Sequence, residues 1–259
     1  MCTICGVSLH GLGQTRRSAP THMGMTTNHR GDRTRATVKV ARLIILTDNI
    51  YFSILYSDMK NWLECQENLL RLGKNVGGVF SLMELSSVFG ESNRVSLHNI
   101  VNKFIESGTL KRYCREIYTI ANFDYAVLSA KVRQNSYVSL GSALAMHRLI
   151  GTESPFQVFC IVQSKAAYYR GLPNISYYSL AKKLYFGFAP NKKGVLIAEP
   201  EKAVLDTLYF YSHGKKFYFN IFSDINYNLL NKKRFFAYLE LYNNPKFKTF
   251  ADRCANGEF

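Results

Sequence analysis

FSLMELSSVFG from Phe80 to Gly90, RVSLHNIVNKFIESG from Arg94 to Gly108 and TLKRYCREIYTI from Thr109 to Ile120 decide how this chain is read. Ser81 and Glu84 have the S-x-x-E spacing of a capping box, in which two side chains satisfy free N–H groups at a helix start. A short helix is expected from Leu82 to about Phe89, with Gly90 placed to end it in a left-handed turn. After Glu91, Ser92 and Asn93, a second helix is expected from Arg94 to about Ser107, closed by Gly108. Leu97, Ile100, Val101, Phe104 and Ile105 recur at three-to-four spacing and make one apolar stripe along it. Thr109 to Arg112 and Glu116 to Ile120 read as two short strands joined at Tyr113, Cys114 and Arg115. Upstream, Trp62, Leu63, Leu69, Leu70 and Leu72 give an amphipathic helix beginning near Met59, ended by Gly73 and the Gly77-Gly78 pair. Three helices and a hairpin in this order outline a winged helix-turn-helix. In that motif the second of two tightly joined helices enters a DNA major groove.

The face of that helix turned away from its apolar stripe carries Arg94, Ser96, His98, Asn99, Asn102 and Lys103. Arginine pairs bidentately with guanine and asparagine with adenine, so these residue types suit base readout. The plainer alternative is a solvated helix face. Lys111, Arg112 and Arg115 on the hairpin suit phosphate or the minor groove, where they supply affinity and salt dependence without sequence information. The expected DNA-contacting set is therefore Arg94, Ser96, His98, Asn99, Lys103, Lys111, Arg112 and Arg115.

The charge balance agrees with a polyanionic partner. Among 259 residues, 33 Lys and Arg face 18 Asp and Glu, a net charge of +15. Nucleic acid leads, with an anionic membrane surface second. Leu43 to Leu55 is the best candidate for a membrane segment. It is well short of the roughly 20 apolar residues a spanning helix needs, so no membrane partner is expected. The six cysteines are scattered singly, apart from Cys2-x-x-Cys5, which has no second pair at zinc-site spacing. That pattern suits a reducing cytoplasm and predicts neither metal nor other cofactor. The first 58 residues hold seven Lys or Arg against three Asp or Glu and show little periodicity. They read as a disordered arm or an over-extended start upstream of Met59, with an Arg-rich targeting peptide as the competing reading. Without them the remaining 26 basic and 15 acidic residues still leave +11.

Beyond Asn122 the chain alternates helix and strand signals. Helices are expected over Tyr125 to Lys131, Gly141 to Leu149, Glu199 to Phe210, Lys232 to Tyr242 and Pro245 to Arg253. Strands are expected over Gln157 to Val162, Ile175 to Leu180, Leu184 to Phe188 and Gly194 to Ala198. The whole reads as an α+β protein with an arm at 1–58, a winged helix-turn-helix at 59–121 and a mixed α/β C-terminal domain at 122–259. Basic and aromatic residues interleave at Lys165–Arg170 and Lys182–Tyr185. They could stack single-stranded nucleic acid, form a protein interface, or simply mark strands with one aromatic core face; the last is favoured. Signals for catalysis are weak, and no enzyme is expected. No G-x-S-x-G elbow accompanies His147, Ser139 and Ser142. Glu199, Glu201 and Asp206, with Lys202, invite a metal-dependent nuclease reading, but at a helix start they are more simply dipole and capping residues.

Three segments together resemble a known family, the AbiEi-type antitoxins of type IV toxin–antitoxin systems. The first runs from Val101 through Gly108, Lys111, Arg112 and Arg115 to Tyr118. The second is Tyr137-Val-Ser-Leu-Gly-Ser-Ala-Leu144 with His147 just after it. The third is Gly194-Val-Leu-Ile-Ala-Glu-Pro-Glu-Lys-Ala-Val-Leu-Asp206. The resemblance covers about Asn61 to Asn244. It implies a winged module that binds its own double-stranded operator DNA and represses transcription, and a C-terminal domain that counteracts a nucleotidyltransferase-like toxin. Ser139, Ser142, Glu201, Lys202 and Asp206 would take a place in that domain's fold, with no catalytic role. Two alternatives stand: a winged-helix regulator with a sensing C-terminal domain and no toxin, and a DNA-processing enzyme using Glu199, Glu201 and Asp206.

Overall fold

The computed structural model describes residues 61–151 and 156–258. The arm, Met59, the Cys2–Cys5 pair and Leu43 to Leu55 lie outside the described residues. Among the described residues no helix is long and apolar enough to cross a membrane. The protein is α+β, and the described residues form a three-stranded and a six-stranded sheet.

Helix α1 occupies 61–75 in the described part of the chain. Strand β1 (Val79–Ser81) leads directly into helix α2 (Leu82–Phe89). Ser81 and Glu84 form the reciprocal capping box that their spacing requires, and Gly90 ends α2 in the left-handed conformation at φ 64°. Helix α3 (Arg94–Glu106) starts at Asn93, whose Oδ1 accepts from the N–H groups of Val95 and Ser96. Strands β2 (Lys111–Cys114) and β3 (Ile117–Thr119) form an antiparallel hairpin, and β1 adds to the far side of β3. The stripe on α3 buries Leu97, Val101 and Phe104 against Leu69, Phe80, Leu85, Leu110 and Tyr118, with Ile100 and Ile105 packed at the edge. Phe104 lies between two stacked rings, Trp62 at 3.9 Å and Phe89 at 4.9 Å between centroids.

Helix α4 (Tyr125–Val132) follows and packs on the larger sheet. That sheet holds β4 (Ser136–Val138), β5 (Gln157–Val162), β6 (Ala167–Tyr169), β7 (Asn174–Ser179), β8 (Phe188–Pro190) and β9 (Leu196–Ala198). Their order is β6-β7-β5-β4-β9-β8; the β5–β7 and β4–β9 pairs are parallel and the others antiparallel. Side chains alternate across a strand, so the unbroken apolar run of β5 serves two cores. Phe159 and Ile161 face the core shared with α5 (Leu140–Met146), α6 (Pro200–Ser212), α7 (Lys232–Leu239) and α8 (Pro245–Asn256). Val158, Cys160 and Val162 face the other core, with Ala126, Val127 and Leu128 of α4, Val79 of β1 and Ile117 of β3.

The structure corrects several sequence readings. Leu184 to Phe188 is not a strand. Lys182–Leu184 form a 3₁₀ turn, and β8 begins only at Phe188. Gly187 intervenes at φ 70°, where a Cβ would sit 3.0 Å from Tyr238 and 3.1 Å from Lys202. The helix expected over Gly141 to Leu149 is Leu140–Met146, capped at His147, whose Nε2 lies 2.7 Å from the Ala198 carbonyl oxygen. Gly73 does not end α1 but lies within it, because its bare backbone accommodates Ile120 at a distance of 2.7 Å from where a Cβ would stand. The hairpin turn falls at Arg115 and Glu116 and not at Tyr113 to Arg115, since the ladder runs on through Cys114 after a bulge. Strands β1, β4 and β6 are too short for periodicity to mark them.

Glu201 lies in the first turn of α6, and Glu201, Lys202 and Asp206 are all buried. Lys202 Nζ donates to Asp206 Oδ1 one turn later and lies 3.2 Å from the Tyr242 hydroxyl and 4.8 Å from the centre of the Phe186 ring. The other Asp206 oxygen accepts from the hydroxyls of Tyr137 at 3.0 Å and Ser139 at 2.8 Å. This network pins α6 to β4. A buried ion pair contributes little net stability, but deleting one partner strands the other charge. Lys202→Met should therefore destabilise the fold by about 3–5 kcal/mol in urea unfolding. The double variant Lys202→Met with Asp206→Leu should recover part of that loss, and a double variant no better than the single would contradict this account.

Candidate nucleic-acid interface

Helix α3 places its residues as its stripe requires. With Leu97, Val101 and Phe104 inward, Arg94, Asn99, Asn102 and Lys103 are exposed, and Ser96 and His98 are half-buried at the flanks. Val95, which the sequence reading passed over, is 71% exposed on the same face. Lys111, Arg112 and Arg115 are exposed on the hairpin. Arg112 lies with its guanidinium carbon 5.5 Å above the centre of the Tyr118 ring, which holds a long side chain against the sheet.

A direct link joins helix and hairpin. Arg94 Nη2 donates to Glu116 Oε1 at 2.5 Å. Glu116 sits in the hairpin turn at φ 60°, a conformation that costs a residue with a Cβ. Its carbonyl oxygen accepts from the Leu82 N–H at 2.9 Å, so the turn is tied to the start of α2. Nothing in the sequence reading singled out Glu116; its one signal is an acid following Arg115 in an otherwise basic turn.

The hairpin is braced from behind. Tyr113 donates its hydroxyl to the Pro173 carbonyl at 2.7 Å, and its ring lies where a Cβ on Gly171 would be 2.5 Å away. Burial raises the Tyr113 phenol well above its usual pKa and keeps it a donor. Lys131 of α4 reaches both Glu84 oxygens at 2.6 Å and the Val79 carbonyl at 2.8 Å. Burial opposes ionisation of Glu84, but Lys131 and the Ser81 N–H and hydroxyl outweigh it, so the carboxyl lies below its ordinary range. Asp124, the N-cap of α4, is lowered in the same way against its own burial, by Lys193 at 2.8 Å and the Val127 and Ala126 N–H groups. A cavity of about 520 Å³ opens beside the hairpin, lined by Arg112, Tyr113, Phe123, Phe156 and Leu172 among others.

Of the carboxylates of the nuclease reading, Glu199 and Glu201 both approach Arg234, at 3.5 and 3.6 Å, while Asp206 pairs with Lys202. Glu199 accepts from Tyr238, Glu201 from the Asn231 N–H, and Asp206 from Lys202, Tyr137 and Ser139. Among the described residues no three His, Cys, Asp or Glu side chains are placed to share a metal ion. In the basic-aromatic stretches, Tyr169 and Tyr185 pack on the cores, Lys165, Arg170, Lys182 and Lys183 face water, and Tyr168 is exposed.

No protein-family model matches the sequence, and no curated protein matches it either. Among solved structures, the chain is similar to the crystal structure of the RV2827C protein from Mycobacterium tuberculosis. The TM-score is 0.52 at 11% sequence identity, covering 73% of this chain and 75% of that one. At that identity the likeness concerns the fold alone.

A group whose folded pKa is depressed contributes stability above its ordinary pKa, and that stability is lost as pH falls through the folded value. Wild-type stability should therefore fall as pH drops below the ordinary glutamate value of about 4.5. Glu84→Gln should be less stable at neutral pH and show a shallower acid limb in thermal unfolding from pH 7 to 3. Parallel limbs for the two proteins would show that the Lys131 contact is not what acid breaks.

Proposed function

We propose that residues 59–121 are a winged helix-turn-helix bound to double-stranded operator DNA, within a non-enzymatic transcriptional autorepressor and antitoxin whose C-terminal domain is 122–259. One observation carries the DNA reading: the exposed polar face of α3, with Arg94, Asn99 and Lys103, stands beside a hairpin exposing Lys111, Arg112 and Arg115. In this reading α3 lies in the major groove and the hairpin is the wing on the adjacent backbone. Asn99 reads a base edge, and Lys111 and Arg112 neutralise phosphates. Ser96 and His98, at the edges of the face, border the groove.

Counteraction of a nucleotidyltransferase-like toxin rests on the sequence resemblance. Its two C-terminal motifs meet in space, since Tyr137 and Ser139 both donate to Asp206. That contact gives a physical reason for the motifs to occur in one chain. A second reading, a winged-helix regulator that senses a ligand and has no toxin, is favoured by the cavity against the hairpin, where an occupant would touch Arg112 and Tyr113. An adjacent nucleotidyltransferase-like reading frame whose growth arrest is relieved by co-expression of this chain would favour the first.

The direct test is binding of the full chain to the DNA upstream of its own gene and to scrambled DNA, titrated with salt. Selective binding that weakens with salt is expected; equal affinity for both would remove the operator reading. Lys111→Ala or Arg112→Ala should weaken binding to every sequence alike and reduce the salt slope by about 1. Asn99→Ala should instead lose about 1–3 kcal/mol of discrimination at one base pair. An unchanged base preference in Asn99→Ala would mean that another face of the module meets the groove.

A further inference from the structure

Arg94 is the first residue of α3, and Glu116 is the turn residue of the hairpin. The two residues are far apart in sequence, yet their side chains meet at 2.5 Å while staying 67% and 42% exposed. An ion pair so open to water contributes little to folding. The backbone beneath Glu116 is nevertheless held on two sides, by the β2–β3 ladder and by the Leu82 N–H. It is also held in the left-handed region at φ 60°, where asparagine or glycine would sit more easily. A fixed backbone thus delivers a carboxylate to one edge of an arginine in the middle of a basic surface. The other acid at the start of α3, Glu91, is engaged elsewhere, accepting from the Asn93 N–H at 2.7 Å.

We propose that Glu116 is a specificity-determining residue of the DNA interface, acting through Arg94. The inference rests on the DNA-binding reading above and names the regulation of that same surface. A guanidinium has donors on more than one edge, so a carboxylate on Nη2 leaves the rest of the fork free while removing much of its rotational freedom. Arg94 is thereby aimed at a base edge that it can meet bidentately. The negative charge of Glu116 also offsets the attraction of Arg94 for phosphate wherever no base partner is offered. Correct DNA satisfies the aimed guanidinium, whereas random DNA meets a paired arginine and a repelling carboxylate. Glu116 in this way lowers non-specific binding more than operator binding, which is how a protein gains selectivity by building a penalty against the wrong partner.

The test compares the full-length wild type with Glu116→Gln on upstream and scrambled DNA across a salt series. Glu116→Gln keeps the side-chain shape and removes the charge. It should bind scrambled DNA about 3- to 10-fold more tightly at low salt, with a salt slope steeper by about 1. Upstream DNA should gain less, so that the ratio of the two affinities falls by at least threefold. Glu116→Asn, which suits the left-handed backbone and is too short to reach Arg94, should lower the ratio equally with no loss of thermal stability. In an Arg94→Ala background neither change should alter the ratio. Equal shifts on both DNAs, or no shift, would overturn the role of Glu116 while leaving DNA binding intact. A wild type that does not distinguish the two DNAs would overturn the DNA reading itself, and this inference with it.

Discussion

Much of the architecture hangs on the ammonium group of Lys131. It leaves α4, passes the edge of the small sheet and ends among the Val79 carbonyl and both oxygens of Glu84. Glu84 belongs to the capping box that starts α2, so one lysine ties that helix start and β1 to α4, which packs on the larger sheet. The apolar counterpart lies alongside, where Val79 and Ile117 share a core with Val127, Val158 and Tyr177. Helix α3 and the basic hairpin are thus presented by a rigid base. Holding side chains on regular elements braced from behind suits recognition, because less freedom is lost when a partner arrives.

The C-terminal half is organised differently. Its central strand β5 is apolar on both faces, so the sheet needs helices on either side, and α5 to α8 and α4 supply them. Within that apolar setting the Lys202–Asp206 pair, together with Tyr137, Ser139 and Tyr242, is a fully buried polar network. It ties α6 to β4 and to the start of α5. Lys202, Tyr137 and Ser139 all donate to Asp206, and the glutamates nearby turn to Tyr238, Asn231 and Arg234.

The elements around α2 and α3 were legible in the sequence because local chemistry announces them. Ser81 and Glu84 cap, Gly90 stops, and Leu97, Val101 and Phe104 repeat at helical spacing. Elsewhere the decisive partners are distant. The three-residue strands β1 and β4 exist because β3, β5 and β9 offer ladders to join, and no window of sequence contains those partners. Glu201, Lys202 and Asp206 look like ordinary residues at a helix start, since acids there favour the dipole whether exposed or buried. Lys202 and Asp206 meet Tyr137, Ser139 and Tyr242, and Glu201 meets Asn231 and Arg234, all of which arrive from elsewhere in the chain. The exposed face of α3 could be read from periodicity, but the pairing of Arg94 with Glu116 could not. It depends on how the hairpin folds back over α2.

The shared core has a calorimetric consequence. Val79 and Ile117 contribute to the same buried cluster as Val158 and Ile175, and Tyr113 is lodged against Gly171 and Pro173. The elements that carry the exposed basic face therefore share a core with the larger sheet and should not melt apart from it. Calorimetry should show β1, β3 and the larger sheet unfolding in a single cooperative step, with the amides of β3 among the last to exchange with solvent.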